Sequence, residues 1–416
     1  MRYILSLVFS FYVLYASDAT IEVVKEVQNL PTIAVEDSSS KLENRFNYKI
    51  FNAIVSDLNV LSIFNVERNY SHNVYDSAYV NDENSKLDYV LRFDVDGDSK
   101  NSISAKIKLI QNSRVVMQKN YIVKDKEMYI FMVHMIAFDI NRYLGAPDVN
   151  WMKKKVIFSR LTKPKQSEIV IADYTLTYQK VIIKNGLNVF PKWANKEQSK
   201  FYMTSLSSDK PTLYLIDAVN SKMSKIKSSD GMLVCSDVSS DGSKLLLTMA
   251  PNSQPDIYLY DVNSKKSTRL TTYSGIDVNG QFMENGKIAF ISNRLGYPNV
   301  FSKKIGSKAV EQMVYYGKSN VSCSAYKNYI VYSARESSNA FSNNTFNLHL
   351  ISTKSDFIRR LSATGVNEFP RFSDDGSVVL FVKNYKSQSS IGIVRLNVNK
   401  NYLFPLNSGK IQSMDW

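Results

Sequence analysis

The sequence predicts a two-domain α+β protein, an N-terminal mixed α/β domain followed by a six-bladed β-propeller. Three observations lead there. Trp151, Trp193, Val238, Phe282, Ala325, Phe372 and Trp416 recur at intervals of 42 to 47 residues. Gly145, Gly186, Gly231, Gly275, Gly317, Gly365 and Gly409 keep the same beat, six to eight residues ahead of each anchor. Within an interval, β-type runs such as "KLLLTMA" (244–250) and "DIYLYDV" (256–262) alternate with turns, including Asp241-Gly242, Asn285-Gly286 and Asp375-Gly376. Asp-Gly and Asn-Gly are hairpin signals. Four short strands every ~40–45 residues have the size of a propeller blade, and six intervals make six blades.

Residues 1–19 read as a signal peptide. Arg2 precedes the apolar run Tyr3 to Tyr15, which is too short for a bilayer that takes roughly 20 residues. The small residues Ala16, Ser17 and Ala19 put cleavage between 16 and 19. No later stretch is apolar enough to span a membrane, so an exported, soluble chain is expected.

Residues 20–146 lack the period and read as mixed α/β. Strands are expected at "PTIAVED" (31–37), "LDYVLRFDV" (87–95), "ISAKIKLI" (103–110) and "VVMQKNYIV" (115–123). Phe46, Ile50, Ala53, Ile54, Leu58 and Leu61 share one helical face. A second helix over 128–144 is too apolar for a free surface. Gly145-Ala146-Pro147 ends it, because glycine suits a C-cap and proline cannot continue a helix. "DVDGDSKN" (94–101) has the alternating aspartates of a calcium loop, but Ser99 and Ala105 stand where such a loop needs Gly and Glu. A hairpin turn is the expectation.

Residues 147–416 form the propeller. "KIQSMDW" (410–416) lies where a further inner strand would begin. It is expected to return to the first blade near Trp151, since an open ring leaves unpaired strand edges. Cys235 and Cys323 are two repeats apart and are expected as buried free thiols. Each glycine-to-anchor phrase is read as the loop entering a blade's inner strand, so these loops ring one mouth of the channel. They carry Leu187, Met232, Ile276 and Val366 directly after the glycine, then Val189, Val234, Val278, Val321 and Glu368. Such a ring either binds a protein or seals the channel.

Catalytic patterns are missing. There is no G-x-S-x-G elbow, Gly-rich phosphate loop or H-E-x-x-H. His72, His134 and His349 have no metal-ligand spacing, and His134 is expected as a satisfied core residue. The mouth-side acids Asp148, Asp277, Glu368 and Asp415 have no histidine beside them. A monomeric binding protein without metal, cofactor or nucleic acid is the reading; a propeller hydrolase or lactonase is the alternative. A peptidase gate would need a catalytic domain after the propeller. The formal charge of +14 fits an acidic partner or a basic proteome background, and does not choose between them.

Several stretches are similar to one family. "FMVHMIAFDINRYLGAPDVNWMKKKVIFSR" (131–160) resembles its helix-to-propeller junction, and "NLHLISTKSDFIRRLSATGVNEFPRFS" (347–373) its final blade. "DVSSDG" (237–242) and "FISNRLGYPNVF" (290–301) fit its blade motifs. Over essentially the whole mature chain the sequence resembles the TolB family of the Tol–Pal system. It departs where the Asp-Gly turn is lost, at Lys154, Lys196-Glu197 and Lys327-Asn328. The resemblance implies a non-enzymatic periplasmic protein whose propeller mouth receives the outer-membrane lipoprotein Pal. Its mature N-terminal segment would engage the C-terminal domain of TolA, in support of outer-membrane constriction during division and of envelope integrity. Carried over by position, the Pal-facing residues are Leu187, Val189, Met232, Val234, Ile276 and Val278, with Val321, Val366 and Glu368. The TolA-facing segment is Asp18, Ala19, Thr20, Ile21, Glu22, Val23, Val24 and Lys25.

Overall fold

The computed structural model describes residues 30–77, 80, 84–97, 101–336, 345–386 and 388–416. The expected signal peptide and the segment Asp18 to Lys25 lie outside them. In the N-terminal domain, strands Thr32–Asp37 and Tyr89–Gly97 pair in parallel. Ile103–Gln111 and Arg114–Val123 extend the sheet antiparallel. Gly97 pairs with Ile103, so Asp94 and Asp96 lie on one strand of a hairpin; Asp98 lies outside the described residues. Helices α1 (Asn44–Leu61) and α2 (Tyr129–Tyr143) contribute Ile50, Ile54, Leu58, Val133, Ile136 and Ile140 to a core shared with Leu91, Phe93, Ile107 and Leu109. Past α2, Gly145 takes a left-handed φ of 66°, and the Ala146 amide returns to the Asn141 carbonyl at 3.1 Å. This is the glycine stop that the sequence predicts.

Among the described residues the propeller has six four-stranded blades, of which the fifth and sixth are joined by one bridge, Phe346 to Val366. Blade 1 is composite. Its inner strand is the C-terminal segment Lys410–Asp415, antiparallel to Val156–Lys163. The Trp416 ring lies 5.9 Å from Trp151, and its Nε1–H donates to the Phe372 carbonyl at 3.0 Å. The expected clasp is therefore present.

Two details correct the sequence reading. The glycine-to-anchor phrase is the inner strand itself, not a loop leading into it: Asn188–Trp193, Leu233–Val238, Asp277–Phe282, Lys318–Tyr326 and Val366–Phe372. The first phrase is the exception. It ends in a single 3₁₀ turn, Asn150–Lys153, because the C-terminal strand holds the inner position of that blade. Phe190, Asn279 and Phe369 take φ near 50° where the ladder slips register, between Val189 and Lys192, Val278 and Gln281, and Glu368 and Arg371. These are β-bulges, and Phe-Pro suits one because proline has no N–H to give a ladder.

Side chains from both domains meet at a polar junction. His134 of α2 is buried between two carboxylates, Asp57 of α1 at 2.7 Å and Asp173 of blade 1 at 3.2 Å. Tyr174 donates its hydroxyl proton to Asp57. At the C-terminal end of α1, where helix carbonyls lack intrahelical donors, Tyr402 of blade 6 donates to Asn59 O at 2.9 Å. Arg395 donates to Val60 O and Leu61 O. A cation there also suits the negative end of the helix dipole. Burial alone would lower the pKa of His134, but Asp57 and Asp173 reverse that and hold it at about 9. The histidine is thus a cation at neutral pH, a satisfied core residue as expected, and it ties the domains together.

Because the folded pKa lies above the ~6.5 of free histidine, this stabilisation is complete below about pH 6.5 and lost as pH rises through about 9. The melting temperature is expected to fall from about pH 7 to about pH 10 more steeply in the parent than in His134→Gln, which should already be destabilised by about 3 kcal/mol at neutral pH. Calorimetry at each pH checks this, and parallel profiles would refute it.

Candidate functional site

The residue just before each anchor points the site out. Going round the ring from blade 2 to blade 1, these are Lys192, Asp237, Gln281, Ser324, Arg371 and Asp415. They form a polar belt about the channel. Lys192 Nζ lies 2.9 Å from Asp415 and 3.2 Å from Asp237. Arg371 Nε lies 3.4 Å from Asp415, and its guanidinium donates to Gln281 Oε1 at 3.2 Å. Burial opposes the charge on Lys192, yet Asp415 and Asp237 raise its pKa above the ordinary lysine value. The same acids cap backbone: Asp415 accepts from Trp193 N at 3.0 Å and Asp237 from Phe282 N at 2.8 Å. Ser324 does so for Phe372 N at 3.3 Å. The belt thus joins neighbouring blades where the bulges have disturbed the ladder.

On the glycine side of the belt lies a cavity of about 220 Å³. Its walls include Phe190, Val234, Val278, Val321, Phe369 and Met414. On the anchor side a wider cup of about 530 Å³ is lined by belt residues with Trp193, Tyr326, Phe372 and Trp416. The cavity opens towards an apolar rim. Met232 and Ile276 are exposed there, and Leu187 and Val366 are half-buried. The rim also holds Leu206, Leu295, Tyr315, Tyr316 and Tyr385, which sequence reasoning missed because they lie on other loops of the same face. With Met232 and Ile276 they are 41% to 76% exposed. Exposed apolar surface this extended is characteristic of interaction sites.

One predicted mouth residue is misplaced. Val189 is only 5% exposed, and the blade 2 wall of the cavity is Phe190 and Pro191 instead. Phe190 takes a left-handed φ of 54°, and its ring and that of Pro191 line the lumen. Glu368 is half-buried, and burial raises its carboxyl pKa despite Asn384 and Lys410. The acids weighed for catalysis are scattered. Asp277 is buried against Arg294 at 3.1 Å, Asp148 accepts from Asn150, and Asp415 belongs to the belt. Among the described residues no group of three His, Cys, Asp or Glu could hold a metal ion. Cys235 and Cys323 are free and buried, and burial pushes the Cys323 thiol up to about 12.

Residues 150–416 match the family model of the TolB β-propeller domain. The chain is 49% identical to the Tol-Pal system protein TolB of Wolinella succinogenes, over 100% of both chains. It is 44% identical to its namesake in Campylobacter jejuni, over 97% of this chain and 96% of that one. Helicobacter pylori has a further relative at 41% identity over the full length of both. Among solved structures, TolB from Acinetobacter baumannii superposes with a TM-score of 0.74 over 94% of this chain and 98% of that one, at 18% identity.

Lys192→Met should be costly, since it leaves Asp237 and Asp415 facing each other without their shared cation. A loss of roughly 3 kcal/mol is expected for breaking a buried pair from one side. Urea unfolding measures it, and a change below about 1 kcal/mol would show that the belt contributes no more than surface charge.

Proposed function

Because this chain belongs to the TolB family of Tol–Pal system proteins, we propose that it is a non-enzymatic periplasmic binding protein whose glycine-side mouth receives Pal. The observation that carries this reading is the exposed apolar rim around an apolar cavity, with Met232 and Ile276 at its edge. The contact residues are Leu187, Met232, Val234, Ile276, Val278, Val321, Val366 and Glu368. The buried Val189 is not among them. Rim side chains supply area, and the cavity accepts one inserted apolar group of the partner, as a binding hot spot does. Residues Asp18 to Lys25 add as an extended strand to the C-terminal domain of TolA. The protein thereby serves outer-membrane invagination at division and envelope integrity.

Mass action links the two partners. Pal held in the mouth is withheld from its other ligands, and TolA binding biases which state holds Pal. If TolA weakens Pal binding by some factor, Pal must weaken TolA binding by the same factor.

Calorimetry with the purified periplasmic domain of Pal tests the site. Met232→Arg combined with Ile276→Arg should weaken binding at least about a hundredfold, the effect of losing a hot spot of about 3 kcal/mol, with an unchanged melting temperature. Equal affinity in parent and variant would move the site elsewhere.

A further inference from the structure

The mouth is not uniform around the ring. Six of the seven exposed apolar rim residues, Leu206, Met232, Ile276, Leu295, Tyr315 and Tyr316, belong to blades 2, 3 and 4 and to the loop entering blade 5, and only Tyr385 belongs to blade 6. The sector over blades 6 and 1 is different. Lys163 and Lys165 flank the tip of the first hairpin of blade 1, Lys184 follows its outer strand, and Lys410 opens its inner strand. Lys386 sits in the neighbouring hairpin of blade 6. All five side chains are exposed. The register places them at one end of the sheets: Lys410 pairs with Leu161, Lys163 pairs with Gln166, and Ser167 N donates to Gly186 O.

Elsewhere on this face several cations are neutralised. Lys210 pairs with Asp230, Arg269 with Asp256, Arg294 with Asp277 and Arg360 with Glu336. In the lysine sector none of the five makes an ion pair among the described residues. The Arg160–Glu168 pair beside them is self-contained at 2.7 Å, and Glu368 is half-buried. Lys165 and Lys386 also occupy left-handed positions, with φ of 60° and 53°. Glycine or asparagine would fit those turns with less strain, so turn geometry does not account for lysine at either.

A ring of six similar blades offers a docking partner six nearly equivalent rotations about the channel axis. An apolar arc on one side and an unneutralised cationic sector on the other remove that degeneracy. Resting on the reading that a protein seats on this mouth, we propose that the partner carries an acidic patch beside its apolar anchor, and that Lys163, Lys165, Lys184, Lys386 and Lys410 steer it and set its rotation. Such charges act chiefly on the association rate and on orientation, and salt screens them.

The test uses the full mature protein and the purified periplasmic domain of Pal. Association is followed by stopped flow at low and high salt for the parent and for a Lys163→Glu, Lys165→Glu, Lys410→Glu variant, whose exposed positions leave the fold intact as checked by melting. The parent's association rate should fall about tenfold or more with salt. The variant should already be slow at low salt and respond little to it. Carbodiimide, which joins only touching amines and carboxylates, should link the lysines to partner aspartates or glutamates. Equal rates and salt slopes in parent and variant overturn the proposal while leaving the mouth as the binding site. Lysine-dependent flotation with phosphatidylglycerol vesicles, with unchanged protein association, overturns it in favour of an anionic membrane surface. Failure of the parent to bind the domain at all refutes the underlying reading and this proposal with it.

Discussion

The fold depends on one carboxylate at the very end of the described chain. Asp415 lies on the strand that the C-terminus lends to blade 1. It binds Lys192 and Arg371 and caps the Trp193 amide, so blades 1, 2 and 6 meet on its two oxygens. A propeller has no other covalent tie between its first and last blades. Backbone pairing of Lys410–Asp415 supplies the closing ladder, and the buried charge makes that ladder specific. Charge burial of this kind is costly unless each group is paired and hydrogen-bonded. Here the belt supplies both, with two cations, two anions and two neutral polar residues around one lumen.

The belt also explains why the two ends of the channel differ. Each bulge above it turns the inner strand, bringing Phe190 and Phe369 to the cavity wall. Below it the backbone amides of Trp193, Phe282 and Phe372 are taken by side chains of the neighbouring blade. An apolar recess on one side and a polar cup on the other follow from a single polar layer between them. Among the described residues the apolar side is ringed by exposed Leu, Ile, Met and Tyr, which is the ground for proposing partner binding there.

The domain junction repeats the same physics at larger scale. His134 between Asp57 and Asp173 is a buried cation with two buried anions, and Arg395 reads the bare carbonyls of α1. Contacts of this type are directional and leave little room for a rocking interface. The N-terminal domain is thereby set against blades 1 and 6, the blades that also carry the ring closure and the lysine sector.

The blade period, the two helices, the glycine stop after α2 and the closing role of residues 410–416 could all be read in the sequence. Each rests on local chemistry: turn residues, apolar periodicity, and an anchor repeated once per blade. "GLNVFPKW" (186–193) and "GVNEFPRF" (365–372) share Gly, Asn, Phe-Pro and an aromatic anchor, and were likewise legible as one motif used twice. Their conformation was not, because a bulge is defined by slippage against the next strand. For the same reason Val189 could not be told from Val234, although both precede an anchor by four residues. The belt was visible only as a column of unlike residues, Lys, Asp, Gln, Ser, Arg and Asp, with no common type to betray it. Composition and spacing thus determined the architecture, since blades repeat along the chain. Tertiary structure alone decided which side chains face the lumen, which cations stay unpaired and where His134 finds its acids, because those neighbours come from segments far apart in sequence.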